Sequence, residues 1–217
     1  MPSNTPPKTI AVFGANGRVG SIVVARALKR GYRVIAFVYG ESRLPHNPSL
    51  TVFRGDVRNA TDVRRTLRDA DVVVSALGSW GTATKDILAS GMSTIVPVME
   101  ELQLVRIVSL TGADAVASDD RPGILNKLSR FMIGMIGGKV IRDGEAHIKV
   151  LQASTLDWTI VRSPVMLGGG LRPYRLVDQL AAPYATIRRA SVAEAMIDLA
   201  VSEDHPKSLV TIVQAKT

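Results

Sequence analysis

The chain has 217 residues, no cysteine and three histidines, with 46% hydrophobic and 21% charged residues. That length suits one globular domain over residues 1–217, and the composition excludes disorder, a disulfide framework, thiolate metal sites and a cysteine nucleophile. The net charge of +8 comes from 27 Lys and Arg spread along the whole chain without aromatic interleaving. Nucleic acid is therefore not expected as a partner, and the positive field is read as attracting a polyanionic small molecule. The polar, proline-bearing start Met1–Lys8 lacks the apolar stretch of a secretory signal, and no apolar run reaches the ~18 residues of a membrane span. A cytoplasmic protein without membrane contact is expected, and nothing in the sequence fixes an oligomeric state.

Thr9–Phe13 is a short β-rich apolar run that leads into a glycine cluster and then Val19, Ile22, Val23, Ala27 and Leu28 at helical spacing. This reads as strand, turn and helix. Gly31 supplies a helix stop and Tyr32–Val38 a second strand. Such continuous apolar runs suit a parallel sheet covered on both faces. The alternation continues with a strand at Leu50–Phe53, a helix at Thr61–Arg68, a strand at Asp71–Ala76, a helix at Ile87–Leu102 with a kink expected at Pro97, and a strand at Val105–Leu110. A helix at Ala146–Ala153, a strand at Trp158–Val161, a helix at Val192–Val201 that Ser191 could cap and a strand at Leu209–Val213 complete the pattern. The whole reads as a doubly wound α/β fold.

Two stretches leave that pattern. Ala113–Ile141 holds a polar loop and then Ile124, Leu125, Leu128, Phe131, Met132, Ile133, Met135 and Ile136, while Met166–Thr186 is rich in Gly, Pro and Tyr. Both follow strands on the side where open α/β sheets bind ligands, so residues 113–141 and 166–186 are expected to build the substrate region. Phe131, Met132 and Met135 read first as core and second as a pocket wall. A membrane-surface helix fits less well, because Gly134, Gly137 and Gly138 weaken a free helix.

Gly14-Ala15-Asn16-Gly17-Arg18-Val19-Gly20 lies between the first strand and the first helix. Glycines there let the turn tighten, let the backbone approach a pyrophosphate and let helix and strand pack closely, with the anion on the helix N-terminus. The spacing is Gly-x-x-Gly-x-x-Gly. At the end of the second strand, Glu41 could accept from a free ribose and Arg43 could hold a 2′-phosphate. Arg18 adds a second guanidinium, so NADP is favoured and Glu41 leaves NAD open.

Together with Gly55-Asp56-Val57, Ser75-Ala76-Leu77-Gly78, Val108-Ser109-Leu110-Thr111 and Leu156–Pro164, this loop resembles the atypical short-chain dehydrogenase/reductase group with an NAD(P)H-binding domain. That group includes the flavin reductase/biliverdin reductase B type and NmrA-like redox sensors. The resemblance implies a Rossmann-type, mainly parallel sheet with helices on both faces. It implies that Asp56 and Val57 meet the adenine, that Leu77 and Gly78, with Ala76 beside them, pass under the adenosine side and diphosphate, and that Ser109 and Pro164 lie near the nicotinamide. Asp56 also reads as a helix cap.

The departures bear on chemistry. No Tyr-x-x-x-Lys pair occurs, the position where many relatives carry a lysine after Arg-Asp is Gly144, and Val165 stands where the biliverdin reductase B pattern has histidine. His147 remains as a proton donor or a structural residue, and Ser109 and Thr111 as hydroxyls that orient a carbonyl or the nicotinamide, or cap locally. The expected function is hydride transfer from NADPH to a flat small-molecule acceptor such as a flavin or quinone, with Ser109 and His147 as catalytic candidates. The alternative is a non-catalytic, NADP-sensing regulator of the NmrA-like type.

Overall fold

In the computed structural model, which describes residues 8–79 and 84–215, the apolar runs read from the sequence become strands of one sheet. In chain order the elements are β1 (Thr9–Phe13), α1 (Gly20–Lys29), β2 (Arg33–Val38), β3 (Leu50–Arg54), α2 (Ala60–Leu67), β4 (Val72–Ser75), α3 (Ile87–Glu101), β5 (Arg106–Gly112), α4 (Ile124–Gln152), β6 (Asp157–Ser163), β7 (Val165–Leu167), β8 (Tyr174–Val177), β9 (Thr186–Arg188), α5 (Arg189–Val201) and β10 (Ser208–Gln214). The polar start at residues 1–7 lies outside the described residues.

The sheet runs β3-β2-β1-β4-β5-β6-β10-β8, parallel throughout except for β8, which is antiparallel to β10 at the edge. A short parallel pair, β7 and β9, stands apart. The chain works outward from β1 to β3 and then restarts at β4 on the other side of β1. A crevice opens at that reversal, outside the strand C-termini. Both faces of the strands are apolar because both are covered: Ile10 and Val12 join a cluster with Val23, Val24, Val192 and Met196, while Ala11 and Phe13 join Val63, Leu67, Met92, Ile95, Ile148 and Leu151. The period-two alternation of a strand thus sends one residue to α1 and α5 and the next to α2, α3 and α4.

Local chemistry sets the boundaries. Gly31, at a φ of +83°, ends α1: its amide donates to the Leu28 carbonyl and the Tyr32 amide to that of Ala27, the paired bonds of a left-handed glycine cap. Asn59 caps α2 by accepting from the Thr61 amide, so the cap expected of Asp56 falls three residues later. Asp56 instead accepts from the amide and guanidinium of Arg58. Helix α3 continues through Pro97 to Glu101.

Two expectations are corrected in the second half. Ser191 does not cap α5, which starts at Arg189; its hydroxyl is buried, donates to the Arg172 carbonyl and accepts from the Arg172 amide. The stretch expected to be irregular up to Ile141 is helical from Ile124, and α4 runs 29 residues with its only non-helical residue at Gly137 (φ −124°, ψ 21°). Tertiary anchors outweigh the local glycine penalty. Arg130 donates to the Asp114 carbonyl and reaches Glu145 across the kink at 2.7 Å, and the Asn126 amide donates to the Ala181 carbonyl. The core role expected for Phe131, Met132 and Met135 is also corrected, because they and Ile124, Leu125 and Leu128 are all exposed. Among the described residues no helix is long and apolar enough to cross a membrane.

Asp143 ties α4 to α3. Its buried carboxylate accepts from the amides of Leu88 (3.1 Å) and Ala89 (2.8 Å) in the first turn of α3, and from the Ser79 hydroxyl. A carboxylate there satisfies orphan amides and complements the helix dipole. Asp143→Ala is expected to lower the unfolding free energy by about 2–3 kcal/mol by stranding those donors. A urea midpoint shift at unchanged slope reads this, and a loss under ~0.5 kcal/mol would mean the cap is dispensable.

Candidate functional site

The glycine loop closes the crevice between β1 and β4. Gly14 has a φ of +73°, and a methyl group on it would lie 2.7 Å from the Ala76 carbonyl oxygen and 2.9 Å from the Leu77 nitrogen. The loop then curls on itself, with the Gly17 amide donating to the Gly14 carbonyl at 2.9 Å, and a methyl on Gly20 would fall 2.1 Å from that same oxygen. Gly14 and Gly20 are therefore packing glycines. Gly17 faces solvent at an ordinary φ, with the Gly14 oxygen 3.0 Å and the Ala76 carbonyl oxygen 4.0 Å from where its missing side chain would start. Among the described residues, the amides of Arg18, Val19 and Gly20 have no hydrogen-bond partner, while the Val19 side chain is buried below them. Three free donors at a helix start, fronted by a glycine with no side chain, fit a pyrophosphate.

Asn16 makes a connection that the glycine pattern does not announce. Its side-chain amide donates to the Glu41 carbonyl at 2.7 Å, and its oxygen accepts from the Arg43 amide at 3.0 Å. The loop after β2 is thereby clamped to the glycine loop, which brings the segment bearing Arg43 up to the one bearing Arg18. Both arginines are exposed, and among the described residues neither has an ion-pair or hydrogen-bond partner for its guanidinium. The Glu41 carboxylate is exposed as well.

On the other side, Val57 and Leu77 converge on Gly91 of α3, where a methyl would sit 2.9 Å from Leu77 Cδ1 and 3.4 Å from both Val57 methyls. Val57 is buried, Leu77 half-buried and Gly78 exposed, so these residues form an apolar wall and lip beside the cradle. Asp56 stands next to it, and the hydrogen bonds from the Arg58 guanidinium and amide hold its carboxyl below the usual carboxylate range.

The catalytic candidates meet at the middle of β5, level with the last residue of β4. Ser109 Oγ and His147 Nε2 share a hydrogen bond of 2.8 Å, and both side chains are fully buried. Ser109 lies level with Ser75 in the sheet register, while Thr111, two residues on, reaches the strand end beside β6 and leaves its buried hydroxyl unpartnered. Pro164 is buried just past β6. Burial pushes His147 down to about 4, so its imidazole is neutral near pH 7 and has no imidazolium proton to give. A methyl on Gly144 would sit 2.8 Å from Ala115 Cβ and 2.9 Å from Thr111 Oγ1, so the helix packs too closely there to admit a lysine.

The segments 113–141 and 166–186 are stitched together. Arg162, buried at the end of β6, pairs with Asp120 at 2.6 Å and donates to the Asp178 carbonyl at 3.2 Å; Asn126 reaches Ala181. A cavity of about 360 Å³ lined by Tyr174, Leu176, Asp198 and His205, among others, lies at the far end of α5 from the glycine loop.

The family model described as NAD(P)H-binding matches residues 14–203, and the chain belongs to that family. Its fold is shared with a short-chain dehydrogenase/reductase from Veillonella parvula solved in complex with NADP (19% identity, TM-score 0.80, 97% of this chain and 96% of that one). It is similar also to ChuY, an anaerobilin reductase from Escherichia coli (20% identity, TM-score 0.75, 97% and 98%). A putative NAD-dependent epimerase/dehydratase from Bacillus halodurans aligns over 97% and 95% of the two chains at 18% identity, with a TM-score of 0.78. The chain is thus an NAD(P)H-binding protein of oxidoreductase-like fold, in line with the atypical short-chain dehydrogenase/reductase resemblance.

Two outcomes follow from this geometry. Gly17→Val is expected to abolish binding of the dinucleotide in a calorimetric titration while the circular dichroism spectrum stays native, because the side chain points into the space before the free amides; retained binding would make the loop purely structural. His147 carries a pH signature. Its folded value lies below the ordinary 6.5, so as pH falls the unfolded chain takes the proton first, and stability is lost from about pH 6.5 down to about pH 4. Relative to His147→Gln, the wild type is expected to lose on the order of 3 kcal/mol more across that window, and parallel stability curves would contradict the neutral buried state.

Proposed function

We propose that the protein is an NADPH-dependent reductase that passes hydride to a flat conjugated acceptor such as a flavin or quinone, with the balancing proton drawn from solvent. A bound reduced nicotinamide would supply the two electrons and one proton of the hydride. The observation that carries the reading is the neutral, buried Ser109–His147 pair at the middle of β5, together with Gly144, whose position has no room for a lysine side chain. Flavins and quinones accept hydride without a dedicated side-chain acid, since the reduced product is protonated readily by water.

In this reading the chain's own residues position and exclude. The amides of residues 18–20 hold the diphosphate, Val57 and Leu77 bracket the adenine side with Asp56 and Gly78 at its margins, and Ser109, Thr111 and Pro164 set the floor under the nicotinamide. His147 fixes the Ser109 hydroxyl and transfers no proton. Arg18 and Arg43, unpaired and brought near each other by Asn16, hold a 2′-phosphate through forked charged hydrogen bonds. The partner is a small-molecule acceptor.

Arg18→Ala together with Arg43→Ala is expected to weaken NADP(H) binding by about 10-fold or more while leaving NAD(H) within ~3-fold, measured by calorimetry with both cofactors. An unchanged NADP preference would remove the assignment. In steady-state assays over flavins, quinones and simple carbonyls, His147→Ala is expected to slow turnover by less than the ~100-fold typical of losing a general acid. A larger loss with carbonyls as best substrates would make His147 the proton donor, and cofactor binding with no turnover on any acceptor would favour the sensor reading.

A further inference from the structure

We infer that the crevice beyond β6 carries a built anion site, formed by Arg188 and Arg189 around the Gly168-Gly169-Gly170 turn, and that the acceptor it serves is an apolar molecule bearing a carboxylate or phosphate. The word acceptor rests on the hydride-transfer reading; the site itself rests on charge and geometry.

β7 starts directly after Pro164, and its last residue, Leu167, pairs with Arg188 at the end of β9. The Arg188 guanidinium donates to the Gly168 carbonyl and packs over Gly169, whose missing methyl would sit 3.3 Å from Nη1; Gly169 holds a φ of +107°, a conformation suited to glycine. Arg189 Nη1 lies 3.6 Å from the corresponding point on Gly168. Two consecutive, partly exposed arginines thus converge on one side-chain-free turn. Among the described residues no carboxylate lies within ion-pair distance of either. Other arginines withdrawn from solvent are balanced, Arg106 by Asp157, Arg130 by Glu145 and Arg162 by Asp120. Adjacent like charges left without a counterion favour an external anion, and forked guanidiniums match carboxylate and phosphate geometry.

The cluster stands on the crevice edge. Arg26 pairs with Glu194 and Arg30 with Asp198, two contacts of equal sequence offset, so α1 and α5 run parallel and Arg189 is level with Ser21 at the start of α1. Because α5 lies over β4 and β5, the arginines sit beside the diphosphate cradle, displaced toward β5 and β6. β7 and the turn after it bear exposed apolar side chains: Val165, Leu167 and Leu171 are 63%, 41% and 47% exposed, while Met166 between the first two packs inward. Ser191 holds the end of this segment in place through both backbone groups of Arg172. An apolar surface ending in two unpaired guanidiniums describes an apolar body with an anionic end.

The test uses riboflavin and riboflavin 5′-phosphate, which differ only by the phosphate, titrated by fluorescence into the NADP-saturated protein. The phosphate form is expected to bind at least ~10-fold more tightly. That ratio should fall to within ~2-fold of unity in R188Q/R189Q and survive in R188K/R189K, which retains the charge if the glutamine variant fails to fold. Equal binding of the two flavins, binding of neither, or a ratio untouched by R188Q/R189Q would overturn the inference. Weakened NADP binding in R188Q/R189Q with the flavin ratio intact would assign the guanidiniums to the cofactor's phosphates and overturn it too. A phosphate preference lost in R188Q/R189Q, in a protein that turns over no acceptor, would support the site while removing the hydride-transfer reading.

Discussion

Gly14 approaches the exit of β4 so closely that a methyl group on it would fall 2.7 Å from the Ala76 carbonyl oxygen, and Gly20 folds back onto the Gly14 carbonyl more closely still. Only a chain without side chains at both points can turn from β1 into α1 at this distance from the neighbouring strand. The approach aims the free amides of residues 18–20 into the crevice between β1 and β4. It also places Asn16 where its amide can hold the loop carrying Glu41 and Arg43. The cradle, its charged margin and its apolar wall therefore depend on one close contact between two loops at the point where the strand order reverses.

Helix α4 plays the corresponding part on the other half of the crevice. Asp143, Gly144 and His147 occupy one stretch of it and tie it to α3 and to β5 with its following loop: Asp143 caps α3, Gly144 presses on Thr111 and Ala115, and His147 bonds Ser109. Three independent contacts within five residues leave the helix little freedom to shift. The floor beside the expected nicotinamide is therefore held at several points, and its polar groups are hydroxyls and a neutral imidazole. In the proposed function such a floor positions reactants and excludes water but does not supply protons.

The strands were legible in the sequence because β1, β2, β4, β5 and β6 are covered on both faces and read as unbroken apolar runs; Thr9–Phe13 matches its run residue for residue. The glycine loop was legible because steric need leaves glycine as a visible mark. The first half of α4 was not, since Gly134, Gly137 and Gly138 argue locally against a helix that Arg130 and Asn126 hold from outside. The polar clamps were also hidden: Asn16 meets Arg43 27 residues on, and Asp143 meets Ser79 64 residues back, with no periodicity to connect them. No sequence pattern singles out Arg188 and Arg189, which the pairing of β7 and β9 sets on the glycine turn. Long-range polar contacts are decided by topology, which only the folded chain reveals.

In the proposed reaction, hydride transfer proceeds without a side-chain acid. Its most direct test is the pH dependence of single-turnover oxidation of protein-bound NADPH by a quinone, between about pH 6 and about pH 9, where an essential imidazolium would titrate. A rate constant that stays level across that range is the predicted result. A rate that falls as pH rises through about 7, with the fall abolished in His147→Gln, would contradict it.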